Sequence, residues 1–131
     1  MAAQELPRIH MATNVELSED GYYVLVTQHG PVIISQIKTA RADSLALYDN
    51  CDRALVDFRQ AEISHLKLIE LDNLGIEFKK DVPKCMKIAL VKPPDQDDMR
   101  YNHLVNMYKI HGVKSELFEC FDTAKQWLFK D

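Results

Sequence analysis

Glycine is scarce in this chain, with 4 in 131 residues, and no GxGxxG or Walker-type phosphate loop is present. A loop that cradles phosphates needs clustered glycines so that backbone N–H groups can close on the anion, so nucleotide binding of that kind is not expected. Cysteine is equally sparse: Cys51, Cys85 and Cys120 are far apart, odd in number and form no CxxC. That excludes a disulfide framework. Buried free thiols in a reducing cytoplasm are the expectation. No apolar run approaches the roughly 20 residues a bilayer span requires. Met1–His10 lacks the apolar stretch of a signal peptide and contains Glu5 and Pro7. Basic residues are not in excess either. The net charge is −4, against the basic stripe of a nucleic-acid binder, and the local cluster Lys79, Lys80, Lys84 and Lys87 is interrupted by Asp81. It reads as a solvated helix end and loop.

Hydrophobic residues, at 47%, are plentiful enough for one buried core, and 131 residues fit a single domain spanning 1–131. The chain opens with a β-like stretch in Met11–Leu17, and Ser18-Glu-Asp-Gly21 reads as a tight turn whose Asp-Gly supplies a positive φ. Tyr22–Gln28, rich in β-branched and aromatic residues, is expected to pair back antiparallel. His29-Gly-Pro31 breaks the strand, with Pro31 placed to start a helix that needs no N–H there. Ile33, Ile37, Ala40 and Leu47 give that helix an apolar side, and Asp49-Asn50 can end it.

Arg53–Phe58 is a third strand, apolar enough to be central, and Ser64 is a natural N-cap for a following helix with Leu71, Leu74 and Phe78 inward. Gly75 costs that helix about 1 kcal/mol relative to Ala, and Pro83 closes it. Met86–Val91 reads as a parallel strand buried on both faces. Asp97 and Asp98 favour the positive end of the next helix, whose Tyr101, Leu104, Val105 and Tyr108 form the clearest stripe in the chain. Gly112 stops it, Val113–Phe118 is a fifth strand, and Asp122 can cap a last helix with Ala124, Trp127 and Leu128 inward. The resulting order, β-β-α-β-α-β-α-β-α, predicts an α/β fold. It has a five-stranded mixed sheet, an N-terminal antiparallel hairpin, four helices and right-handed crossovers.

Several stretches resemble the SpoIIAA-like family, which shares its fold with STAS domains and is compared with SEC14-type lipid-binding domains. They are His29-Gly-Pro-Val32, Ala54-Leu-Val-Asp-Phe-Arg59, Met86-Lys-Ile-Ala-Leu-Val91, Met107-Tyr108, Glu116-Leu-Phe-Glu119 and Asp122-Thr-Ala-Lys-Gln-Trp-Leu128. The likeness runs from about Asn14 to Leu128 and consists of packing and turn patterns. It implies a STAS-type fold and two roles. One is a protein-interaction switch phosphorylated at the start of the helix after the third strand, which here is near Ser64. The other is a holder of lipids or other apolar small molecules. The switch proteins carry an Asp-Ser-Ser-Gly-like sequence at that point, whereas this chain reads Ala61-Glu-Ile-Ser-His65.

In an open α/β sheet the crevice beyond the strand carboxyl ends is the usual docking place. Asp57, Arg59 and Gln60 are therefore the candidate contacts to a partner or ligand, with Arg59 the best anion anchor and an Asp57–Arg59 pair on one sheet face the plain alternative. Tyr101 and Tyr108 are candidates for lining an apolar pocket, against the ordinary reading of a core stripe. The five histidines show no ligand spacing, so no metal and no cofactor are expected. Ser64-His65 lacks the surroundings of a catalytic couple, and an enzyme built from Asp57, Arg59 and His103 is the weakest reading. The chain is thus expected to be a non-enzymatic regulatory or protein-interaction module. It would meet a protein or an apolar small molecule but no nucleic acid, and the hairpin edge or the Tyr-rich helix could form a homodimer.

Overall fold

The computed structural model describes residues 13–47, 51–78, 87–94, 96 and 98–130. Five strands form one sheet in the order β1 (Thr13–Leu17), β2 (Val24–Pro31), β3 (Arg53–Glu62), β4 (Lys87–Val91) and β5 (Lys114–Phe118). β1 pairs antiparallel with β2, and every later neighbour is parallel. Four helices complete the fold: α1 (Ile34–Leu47), α2 (Leu68–Phe78), α3 (Met99–Ile110) and α4 (Phe121–Leu128). This is the predicted order and class.

Side-chain alternation divides the core in two. Val24, Val26, Ala54, Phe58, Ile88 and Leu90 point to one face of the sheet, where they meet Ile37 and Ala40 of α1, Leu71 and Leu74 of α2, and Tyr101, Leu104, Val105 and Met107 of α3. Tyr23, Leu55, Ala89 and Val91 point to the other face and meet Ala124 and Leu128 of α4, with Trp127 and Phe121 alongside. All five residues of β4 are buried, Lys87 and the apolar run Ile88–Val91 alike, as befits a strand covered on both faces.

The hairpin turn forms as expected. Gly21 has φ 77°, its N–H reaches Ser18 O at 2.9 Å, and Ser18 N–H reaches Tyr23 O at 2.8 Å. Asp20 accepts from Ser18 Oγ (2.6 Å) and Tyr22 N–H (3.1 Å), and these bonds hold its carboxyl below the usual range. Gly112, with φ 86°, follows α3 as the predicted stop.

Several boundaries differ from the sequence expectation. Pro31 ends β2 and does not start a helix, because the pairing of β2 with β3 resumes after an irregularity between Thr27 and His29 and carries through Pro31 opposite Glu62. The missing N–H is harmless there, since Val32 N–H takes the next bond, to Glu62 O at 2.9 Å. β3 runs on to Glu62, past the expected end at Phe58, for the same reason. Tyr22 lies before β2 and is exposed. Ile33 precedes α1 and is exposed, while Ser44 takes an inward position and donates to Ala40 O at 2.7 Å.

Ser64 is not an N-cap. α2 starts at Leu68, and the N–H of Lys67 is accepted by Glu70 Oε1 at 2.9 Å; α1 repeats the device with Ile33 N–H and Gln36 Oε1 at 2.8 Å. Both are the returning half of a capping box, without the hydroxyl residue that usually announces it. Asp98 does cap α3, accepting from Arg100 N–H at 2.9 Å. The cap position of α4 is Cys120, with Asp122 inside the first turn. The expected roles of Asp49-Asn50, Lys79, Lys80, Pro83, Lys84, Cys85, Met86 and Asp97 fall outside the described residues, as does the side chain of Phe78.

Candidate functional site

β3 delivers Asp57 and Arg59 to the same sheet face, two residues apart on the strand that leads toward the carboxyl end of the sheet. Arg59 donates from Nε to Asp57 Oδ1 at 3.0 Å and from Nη2 to Oδ2 at 2.8 Å, and its backbone N–H also reaches Oδ1 at 3.0 Å. Asp57 is buried and Arg59 is exposed. The guanidinium carbon lies 5.1 Å from the ring centre of Phe121, so the first turn of α4 supports it from the side. The hydrogen bonds it donates to Asp57 raise the Arg59 pKa further above its ordinary value. The planar fork predicted as an anion anchor is thus engaged by its own chain's carboxylate. Gln60, next on β3, is exposed and opposite His29 of β2.

Two further ion pairs stand at this end of the sheet. Lys92, just past β4, donates to Glu119 at 2.7 Å and to Gln96 O at 2.6 Å. Arg100 forks onto both oxygens of Asp98 at 3.0 Å, and its Nε reaches Leu66 O at 2.5 Å. That last bond ties the β3–α2 connection to the start of α3. Ser64 and His65 form the exposed turn of this connection, which Leu66 N–H closes on Ile63 O at 3.0 Å. Ile63 and Leu66 on either side are buried anchors, so the turn is held while its tip faces solvent.

The remaining sequence candidates are placed apart from this rim. Tyr101 is fully buried on the three-helix face, edge-on to Phe58 with ring centres 5.7 Å apart. Its hydroxyl has no hydrogen-bond partner among the described residues, and burial, with Asp98 adding, pushes its pKa up to about 12. Tyr108 is half-buried against the same core. Both belong to the packing stripe of α3. His103 Nε2 lies 2.7 Å from Asp72 Oδ1 of α2, on that face, while Asp57 and Arg59 lie toward α4. The sheet separates them, so Asp57, Arg59 and His103 are not assembled into one centre. Among the described residues no group of three or more His, Cys, Asp or Glu is arranged to hold a metal ion.

Sequence reasoning missed three features. Lys87 was grouped with solvated lysines, yet it is buried at the start of β4, donating to Trp127 O and Lys130 O at 2.6 Å each, with Nζ 4.3 Å from the Trp127 ring centre. Arg53, its register partner at the start of β3, donates to Leu128 O. Cations at the negative end of a helix are favoured, and both strands supply one to α4. A charged residue heading each of two apolar parallel strands was the available signal. Cys120 is exposed, not buried, and hydrogen bonds from Thr123 backbone and side chain lower its pKa, whereas burial raises that of half-buried Cys51. Finally, an open cleft of about 340 Å³ lies at the amino ends of the strands, lined by Gly21, Tyr22, Cys51, Asp52, Arg53 and Phe129.

No protein-family model matches the chain, and no curated protein does. Solved structures do. An uncharacterised DUF3478-family protein with a SpoIIAA-like fold from Shewanella loihica PV-4 superposes with a TM-score of 0.57 at 18% identity, covering 89% of this chain and 92% of that one. An anti-sigma factor antagonist from Mycobacterium paratuberculosis superposes with a TM-score of 0.56 at 18% identity, covering 90% and 93%. At this identity the likeness establishes the fold, a five-stranded SpoIIAA-like α/β domain, as the resemblance implied.

Proposed function

We propose that this chain is a non-enzymatic regulatory module of the STAS type, acting by docking a protein partner at the carboxyl end of its sheet. The observation that carries the reading is the Ser64–His65 turn, exposed at its tip and anchored on both sides by Ile63 and Leu66. Because Lys67 and Glu70 cap α2 between them, the Ser64 hydroxyl is not needed by the helix. A partner, or a phosphoryl group, can engage it without unwinding α2, and the phosphoryl group would add up to two negative charges beside the turn. Arg59 and Gln60 extend the surface as exposed contacts, with Asp57 acting through its grip on Arg59. The ion pairs around the rim give it a rigid polar frame, suited to recognition. One of the two structural neighbours described above is an anti-sigma factor antagonist, which supports a protein partner for this chain too. A reducing compartment such as the cytoplasm suits the exposed Cys120. The apolar-ligand reading has no observation in its favour, since Tyr101 is core.

The test places a photo-crosslinking amino acid at Ser64, at Gln60 or, as a control, at Asn14 on the hairpin edge. A single partner captured from Ser64 and Gln60 but not from Asn14, and weakened by Arg59→Ala, is the expected result. Equal capture from all three positions, or from Asn14 alone, would rule the surface out.

A further inference from the structure

α2 and α3 lie side by side on the sheet, and three contacts set their register. Arg100 Nε reaches Leu66 O, Asp72 meets His103, and Gly75 approaches Met107 so closely that a Cβ added there would lie 3.0 Å from Met107 Cγ. Helical spacing then puts Ile69, Asp72, Asn73 and Ile76 of α2, and Met99, Asn102, Asn106 and Ile110 of α3, on the side away from the sheet, and all are exposed. Ile69 is level with Met99 at one end, and Ile76 lies near the last turn of α3, which carries Ile110, at the other. Asn73, Asn102, Asn106 and the Asp72–His103 pair lie between.

We infer that this face is the contact surface for a second copy of the chain, in a two-fold symmetric dimer. The inference stands apart from the proposed regulatory role, which a monomer would leave intact. Area is the first argument. Ile69, Ile76, Met99 and Ile110 are 61%, 66%, 64% and 78% exposed. Together they leave on the order of 400–500 Å² of apolar surface on one face, divided between its two ends. With the polar residues between them, the face approaches the ~800 Å² per partner of a standard interface.

Charge is the second argument. The charged groups exposed on this face are Asp72, which His103 hydrogen-bonds at 2.7 Å, and Lys109 beside Ile110, one of each sign. The charges of Lys38 and Glu77 pair with each other at the α1 flank. A face with no excess of either sign can meet its own copy without like-charge repulsion. Geometry is the third. The apolar ends flank a polar middle, so a two-fold axis near Asn73 and Asn106 sets the Ile69–Met99 end of one copy on the Ile76–Ile110 end of the other. That is the self-complementarity an isologous contact requires.

Sedimentation velocity of the full chain over a concentration series tests the inference. The expected result is a reversible dimer whose Kd rises at least ~30-fold in Ile76→Asp and in Met99→Asp, with circular dichroism and melting unchanged because both side chains are exposed. Tyr22→Asp, at the amino ends of the strands, should leave the dimer intact. The inference is overturned by a monomer at the highest attainable concentration, or by a dimer that both helix variants leave intact. It is overturned equally by loss of dimer in Asn14→Pro on the β1 edge but not in the helix variants, or by helix variants that fail to fold.

Discussion

Replacing Lys87 with Ala should destabilise the protein by about 3 kcal/mol. The ammonium is buried with β4, donates to two carbonyls at 2.6 Å and sits over Trp127. Each charge-assisted bond is worth roughly 1.5–3 kcal/mol where water cannot replace it. The cation–π contact adds roughly 1 kcal/mol, and the helix end roughly 0.5 kcal/mol. Against these stands the recovered desolvation of the ammonium, several kcal/mol in a dry site. Lys130 is exposed, so water can reach its carbonyl once the lysine is gone, and only part of the gross sum is lost. For a domain of this size ~3 kcal/mol corresponds to a fall in Tm of roughly 10 °C. Urea unfolding followed by the fluorescence of Trp127, the one tryptophan in the chain, measures the change directly. Lys87→Met keeps the aliphatic stem over the indole and should recover about 1 kcal/mol of the loss through packing alone. If Lys87→Ala lies within ~0.5 kcal/mol of the parent, or Lys87→Met equals the parent, the ammonium contributes nothing net and the argument fails.

Cys120 should be alkylated by iodoacetamide before Cys51 at neutral pH. Its pKa lies below the ordinary thiol value and it is exposed, so its thiolate fraction is already larger there, while burial holds Cys51 as the thiol. Mass spectrometry of Cys120→Ser and Cys51→Ser variants checks the order, and earlier labelling of Cys51 would contradict it. Gly75→Ala should lose about 0.5–1.5 kcal/mol in urea unfolding, because a methyl 3.0 Å from buried Met107 Cγ more than cancels the roughly 1 kcal/mol gained in helix propensity. A stabilised variant would mean that α2 and α3 part easily. Ser64→Ala should change stability by less than about 0.5 kcal/mol, whereas Glu70→Ala should lose about 1 kcal/mol with its cap. Thermal melts of the two variants side by side decide which residue ends the helix.

Patterns that depend on burial alone were readable in the sequence. The run ending at Val91 and the stripe from Tyr101 to Tyr108 became β4 and the inward side of α3 because nothing local competes with their packing. Where local chemistry and long-range pairing disagreed, pairing won. Pro31 has the look of a helix start, yet the ladder between β2 and β3 continues past it, and the same extension carries β3 to Glu62 and leaves Ser64 short of the helix. At the site, the Asp57–Arg59 pair was legible from its two-residue spacing. The support from Phe121 was not, since it joins residues 62 positions apart (121 − 59) through the docking of α4. The buried role of Lys87 depended in the same way on where the last helix lands.

The two cations that hold α4 are also a check on sheet assembly. Arg53 and Lys87 are register partners on neighbouring strands, and both must face α4 to reach Leu128, Trp127 and Lys130. A slip of one residue in β4 would turn its lysine to the three-helix side and leave the helix carbonyls unanswered. The contacts of α4 with these two cations therefore favour the native β3–β4 register over a one-residue slip.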